Sequence, residues 1–259
     1  MMRSFRWSVL LGLTVTLAAC QNITERTPPP DPPAVLEIQR VERLFIEPDC
    51  SGDHCARVSA DYLRFVNDAA LSAELKRRLL VMAGGIGNGS ESPAASFDAY
   101  AHEFFSEARK ARTDYPDTAP YHASVTAEVI ADHDGLLILA LNNYIFIGGA
   151  HGMPVTQYMV IDQHSRQIVT LDDMLRDGQR HTFDAALERA HNRWLEQLGE
   201  DQAFAAQWPL SSSSNVAPLD EDVVVKYQAY DLGPYAIGQP ELHIPYAELK
   251  GIFKPRYLH

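Results

Sequence analysis

The stretch Leu136-Leu-Ile-Leu-Ala-Leu-Asn-Asn-Tyr-Ile-Phe-Ile-Gly-Gly-Ala-His-Gly152 decides the fold of this chain. Its apolar first half is too short to cross a bilayer, and Asp134-Gly135 just before it is a hairpin turn signal. A buried central strand is therefore expected. The strand runs out on Gly148, Gly149 and Gly152. These leave little side chain to pack and suggest positive φ angles or the close approach of another backbone. His151 then projects from the turn, so the stretch displays a short, polar-tipped loop at a sheet edge.

Reading backwards, Tyr121, Ala123, Val125, Ala127 and Val129 alternate with His122, Ser124, Thr126 and Glu128. This is a half-exposed strand, paired through Asp134-Gly135 with the central one. Reading forwards, residues 155–162 and 167–170 make a second hairpin and complete an antiparallel meander. Thr170-Leu-Asp-Asp173 approximates a capping box that opens a short helix. A longer helix over 178–199 carries Phe183, Ala186, Leu187, Ala190, Trp194 and Leu198 on one side, a width suited to packing on a sheet. Residues 200–221 read as a loop, 223–228 and 241–244 as the last strands, and 246–253 as a closing helix.

Ahead of the meander, strands are expected at 36–46 and 56–65. A helix at 69–83 has Leu71, Leu75, Leu79 and Met82 at helical spacing. Gly84-Gly-Ile-Gly-Asn-Gly89 follows a helix and precedes a Ser/Pro loop, so it reads as a helix stop and not as a phosphate cradle. Ser96 can cap a second helix whose Phe97, Tyr100, Ala101, Phe104, Phe105 and Ala108 form an apolar stripe, taken as core. The expected fold class is α+β: one antiparallel β-sheet with helices packed mainly on one face. Two αβ parts, 36–118 and 119–259, share that sheet in one unit of ordinary size.

Tyr144-Ile-Phe-Ile-Gly-Gly-Ala-His-Gly152, the strand and hairpin at 159–170 and Leu171-Asp-Asp-Met-Leu175 come in that order. Tyr230-Asp-Leu-Gly-Pro-Tyr-Ala-Ile-Gly238 and Ile244-Pro-Tyr-Ala-Glu-Leu249 follow them. In this order they resemble the RsiV-like C-terminal domain family, domain of unknown function 3298. The resemblance spans roughly residues 119–255. The family is named after a membrane-bound anti-sigma factor whose outer domain binds lysozyme, and it also occurs as a non-catalytic part of a cell-wall deacetylase. The resemblance thus implies a lysozyme-like protein or peptidoglycan as partner. A spanning helix and a cytoplasmic sigma-binding segment are not found here, so anti-sigma activity is not carried over.

Residues 1–19 read as an export signal: Arg3 and Arg6 precede an apolar core, and Leu17-Ala-Ala-Cys20 looks like a bacterial lipoprotein cleavage site. Cys20 would be acylated and would hold the protein in the periplasm. Gln21 after it resembles outer-membrane sorting in Gram-negative bacteria. Residues 20–35 are polar and then Pro-rich, an extended tether. The net charge is −12, and without Arg3 and Arg6 it becomes −14, from 20 basic against 34 acidic residues. That argues against nucleic acid and favours basic partners or simple solubility. Cys50-Ser-Gly-Asp-His-Cys55 reads as a disulfide in an exported chain; a metal reading would also need ligands such as His54 and Asp53.

Ten histidines invite a metal or catalytic reading, but none has zinc-peptidase spacing, and Gly-x-Ser-x-Gly is absent. No metal, cofactor or catalytic residue is expected. The candidate binding residues are Gly148, Gly149, His151, Gly152, Tyr230 and Tyr235. His151 either meets a ligand or bonds a nearby carbonyl to hold its turn, and the tyrosines either anchor a partner or plug the end of the sheet. The function expected is non-enzymatic binding in the cell envelope. The alternatives are a hydrolase or deacetylase pairing His151 with a carboxylate such as Asp162, or a purely structural envelope protein.

Overall fold

In the computed structural model the strand Leu136–Phe146 is buried on both sides. Leu137, Leu139, Leu141 and Ile145 point into one apolar cluster, while Leu136 and Ile138 point into another. That two-sided burial explains why the stretch is continuously apolar instead of alternating. Each such fully buried side chain stabilises the fold by about 1.5–3 kcal/mol. The structure describes residues 35–85, 93–116 and 118–259. The expected signal segment, Cys20 and the tether through Ala34 lie outside the described residues, as do Gly87 and Gly89.

In chain order the elements are β1 (Ile38–Ile46), β2 (Arg57–Phe65), α1 (Ala69–Gly84), α2 (Phe97–Asp114), β3 (His122–His133), β4 (Leu136–Phe146), β5 (Met153–Asp162) and β6 (Gln167–Val169). There follow α3 (Leu171–Met174), α4 (Arg180–Leu198), α5 (Gln202–Gln207), β7 (Val216–Pro218), β8 (Asp222–Lys226), β9 (Glu241–Pro245) and α6 (Tyr246–Leu249). The class is α+β as expected, and β3 to β6 form the expected antiparallel meander. The six-stranded sheet β1–β6 is nevertheless mixed, because β2 pairs in parallel with β3, Arg57 opposite His122. The intervening α1 and α2 supply the long crossover that parallel neighbours require. Strands β7–β9 make a second, antiparallel sheet rather than extending the first.

Both crossover helices begin on side-chain caps. Asp68 accepts from the Leu71 N–H and Ser96 from the Ala99 N–H, satisfying donors the first turn leaves free. Leu71, Leu75, Leu79 and Met82 of α1 and the six stripe residues of α2 are buried against one face of the large sheet. The other face is covered by β7–β9 and α4, through Phe183, Ala186, Leu187, Val223, Val225 and Ile244. The helices are thus divided between the two faces, and Leu198, in the last turn of α4, is exposed.

Three local departures have physical causes. A bulge between Val129 and Ala131 interrupts β3, so Val129 leaves the buried face it was expected to join and is exposed. Residues 200–221 contain α5, capped by Asp201, and the three-residue β7, both too short to carry a periodic signal. The last helix ends at Leu249, after which Gly251, at φ +83°, turns the chain so that Phe253 bridges to Leu175.

The expected disulfide is present. Cys50 and Cys55, with Cα atoms 5.7 Å apart, close the β1–β2 connection. Beside it the buried Glu47 carboxylate accepts from the Ala56 N–H at 3.1 Å and is ion-paired with Arg112. Burial would raise the Glu47 carboxyl, but bonds from Arg112 and Ala56 and the charges of Arg112 and Arg109 outweigh it and hold the group below its ordinary value.

Candidate functional site

The β4–β5 connection is where the glycines sit. Gly148 and Gly149 adopt φ +85° and +92°, a region that glycine enters without strain. Gly152 serves differently: a Cβ there would strike the Tyr144 ring and lie 2.8 Å from the Ile145 carbonyl oxygen. The chain must pass this close to β4 to enter β5, and only hydrogen fits.

The 230–238 loop is brought against this turn. Tyr235 stacks on His151 with ring centroids 3.6 Å apart and planes 15° apart. Its hydroxyl donates to the Gly152 carbonyl at 2.7 Å. Tyr230, held at φ +72°, places its hydroxyl 3.2 Å from His151 Nε2. The other ring nitrogen, Nδ1, lies 3.2 Å from the Gly152 carbonyl. Thus the two readings of His151 are not exclusive: the ring bonds its own turn, and it remains exposed beside Tyr230, itself 44% exposed. Tyr235 is the partly buried support of the trio. A left-handed backbone at a bulky residue such as Tyr230 is uncommon and persists only where its surroundings enforce it.

Bonds from the Gln228 N–H to Asp231 Oδ2 and from the Asp231 N–H to the Gln228 carbonyl, at 2.7 and 3.1 Å, close the turn around it, and the turn is anchored by side-chain amides that sequence reasoning did not single out. Gln228, just before Tyr230, accepts from the Thr156 N–H and donates to the Thr156 carbonyl, at 2.9 and 2.8 Å. Gln239, just after the loop, donates to Gln228 Oε1 at 2.8 Å and lies 3.1 Å from the Thr156 hydroxyl. Asn215 bridges the Thr156 carbonyl and the Tyr158 N–H at 2.8 and 2.7 Å. Together these amides satisfy the edge of β5 beyond β6, as a neighbouring strand would, and pin both ends of the loop. No motif marks them, since isolated Asn and Gln residues carry no spacing signal.

The carboxylate considered as a catalytic partner is elsewhere. Asp162 is the last residue of β5, whereas His151 precedes its first, Met153. Ten strand residues separate them by about 30 Å at ~3.3 Å per residue. Asp162 is buried, accepts from the His164 and Ser165 N–H groups, and is ion-paired with Arg256. The His151–Asp162 pair therefore does not form.

Comparison with known proteins accords with this architecture. A family model for a protein of unknown function, DUF3298, matches residues 172–247, and one for deacetylase PdaC matches residues 50–154. The crystal structure of a DUF3298 family protein from Pseudomonas aeruginosa PAO1 is 33% identical, with TM-score 0.75, over 87% of this chain and 98% of that one. This chain belongs to the DUF3298 family. A second DUF3298 crystal structure, from Bacteroides fragilis NCTC 9343, shares the fold at TM-score 0.64 and 18% identity, over 85% of this chain and 94% of that one. No curated protein sequence matches the chain. The DUF3298 and PdaC matches, with the disulfide, suggest that this DUF3298 protein is associated with the cell envelope. Among the described residues, no helix is long and apolar enough to cross a membrane.

Proposed function

We propose that this DUF3298 protein is a non-enzymatic binding protein of the periplasm, tethered to the outer membrane by lipid on Cys20. Through His151 and Tyr230 it grips a lysozyme-type muramidase or the peptidoglycan fragments on which such an enzyme acts. The observation that supports the reading is the fixed trio: Tyr235 orients His151, His151 meets Tyr230, and two loops 79 residues apart present one exposed aromatic face. Aromatic and imidazole rings of this kind combine apolar area with a polar edge, which suits both sugar stacking and a protein anchor. The acidic balance of the chain favours encounter with a basic enzyme.

The test is a titration of residues 35–259, which form one compact unit, against lysozyme at low and high salt and against purified peptidoglycan fragments. Saturable binding that weakens at least tenfold in Tyr230→Ala is expected. Salt-sensitive binding identifies the protein partner, and salt-insensitive binding the glycan. The family model named for a deacetylase offers a second reading, in which glycan turnover would be lost in His151→Ala. Such turnover, or undiminished binding in Tyr230→Ala, would sink the first.

A further inference from the structure

His133, Asp134 and His259 lie at the far end of β4 from the aromatic trio, and their ligand atoms all fall within 4.8 Å of one another. The Nε2 of His133 is 3.1 Å from the Pro218 carbonyl oxygen. A carbonyl only accepts, so Nε2 carries the hydrogen, and in the neutral ring Nδ1 presents a lone pair. That lone pair faces Oδ2 of Asp134 at 3.3 Å, and the same oxygen meets Nδ1 of His259 at 2.6 Å. A proton on either ring answers the arrangement as a histidine–aspartate ion pair, and a metal ion answers it by taking the carboxylate and both ring lone pairs at once.

From this we propose that His133, Asp134 and His259 form a site for a divalent transition-metal ion of the Zn2+, Cu2+ or Ni2+ type. Two imidazoles and a carboxylate are the donor set these ions favour. The Pro218 carbonyl plays the part of the outer partner that fixes the tautomer of a metal-binding histidine. In a tetrahedral Zn2+ site with bonds of about 2.0–2.1 Å the ligand atoms stand roughly 3.3 Å apart. His133 and Asp134 already have that separation, and His259, 46% exposed and 2.6 Å from the same carboxylate oxygen, would draw back by about 0.7 Å to match it. A second cluster among the described residues, Cys50, His54 and Cys55, has its two sulfurs spent in the disulfide. Sequence spacing hid the site, since 125 positions separate Asp134 from His259.

The ion would clip His259 to the β3–β4 turn. Its distance from His151, about 33 Å along β4 at ~3.3 Å per residue, makes it a structural site independent of ligand binding. The experiment is calorimetric titration of the full, oxidised chain with Zn2+ near pH 7.5, with thermal unfolding in parallel. One equivalent is expected to bind with micromolar or tighter Kd, and Tm is expected to rise by about 5 °C or more at a hundredfold excess over Kd. Asp134→Asn, which suits the left-handed backbone there, and His259→Gln should each weaken binding at least tenfold. His243→Gln and His54→Gln should leave it unchanged. One-equivalent binding that survives in the His133→Gln/His259→Gln double variant overturns the proposal. So does the lack of saturable binding in the parent chain, which would leave a proton, not a metal, between the groups.

Discussion

Replacing Gly152 by alanine tests the close passage on which the aromatic trio depends. The new Cβ would strike the Tyr144 ring and sit 2.8 Å from the Ile145 carbonyl oxygen. Tyr144 is half-buried and can swing, but Ile145 is 1% exposed in the central strand, and its partner in the ladder is Met153, next to Gly152 itself. Relief must come from the loop. Overpacking of this kind costs about 1–3 kcal/mol. Moving the Gly152 carbonyl also disturbs the bond it accepts from Tyr235, a further loss of about 0.5–1.5 kcal/mol. We expect Gly152→Ala to destabilise the fold by about 2–4 kcal/mol. Gly149→Ala meets no atom within 4 Å, and its φ of +92° should cost only about 1–2 kcal/mol. Urea unfolding at fixed pH measures both. A Gly152→Ala variant no less stable than Gly149→Ala refutes the reasoning. Tyr144→Ala added to Gly152→Ala should restore only part of the loss, and complete restoration would remove the Ile145 carbonyl from the account.

Tyr100 is fully buried with its hydroxyl unpartnered, and burial pushes that hydroxyl far above its ordinary value. Tyr100→Phe should therefore leave stability unchanged or raise it by about 1–3 kcal/mol in urea unfolding, and a loss would reveal a partner. Glu47 has a carboxyl lowered by Arg112, so it stabilises the fold above its unfolded pKa of about 4.3, and that stability is lost as pH falls through the folded value. Glu47→Gln should lower Tm at neutral pH and flatten the acid side of the Tm profile; a profile that merely shifts in parallel contradicts this. The Cys50–Cys55 loop is short, so the double Cys→Ser variant should lose about 2 kcal/mol by the loop-entropy relation, and a change within ~0.5 kcal/mol would show that the loop is held without it.

Local periodicity was enough to find the central strand, the meander, the two crossover helices and α4, because each carries several turns or residues of one pattern; the Ser96 cap was legible, the Asp68 cap was not. The glycine cluster, and the rings of the Tyr230–Gly238 stretch that carries the family resemblance, singled out Gly148, Gly149, His151, Gly152, Tyr230 and Tyr235 without any help from periodicity. The parallel pairing of β2 with β3 was not legible, because direction depends on how a crossover returns and not on the strands themselves. The second sheet was missed for a related reason: β7 is three residues long and exists only through β8.

Composition and order thus determined by themselves the fold class, most of the core with Val129 and Leu198 as exceptions, and that two polar-tipped loops were worth attention. Only the tertiary structure decided that those loops meet, that amides from Gln228, Gln239 and Asn215 take the place of a strand on β5, and that Asp162 lies far from His151. It alone joined His133 and Asp134 to His259. The physical reason is range: a helical stripe or a turn is encoded within a few residues, whereas contacts between residues 79 or 125 positions apart follow from how whole layers pack.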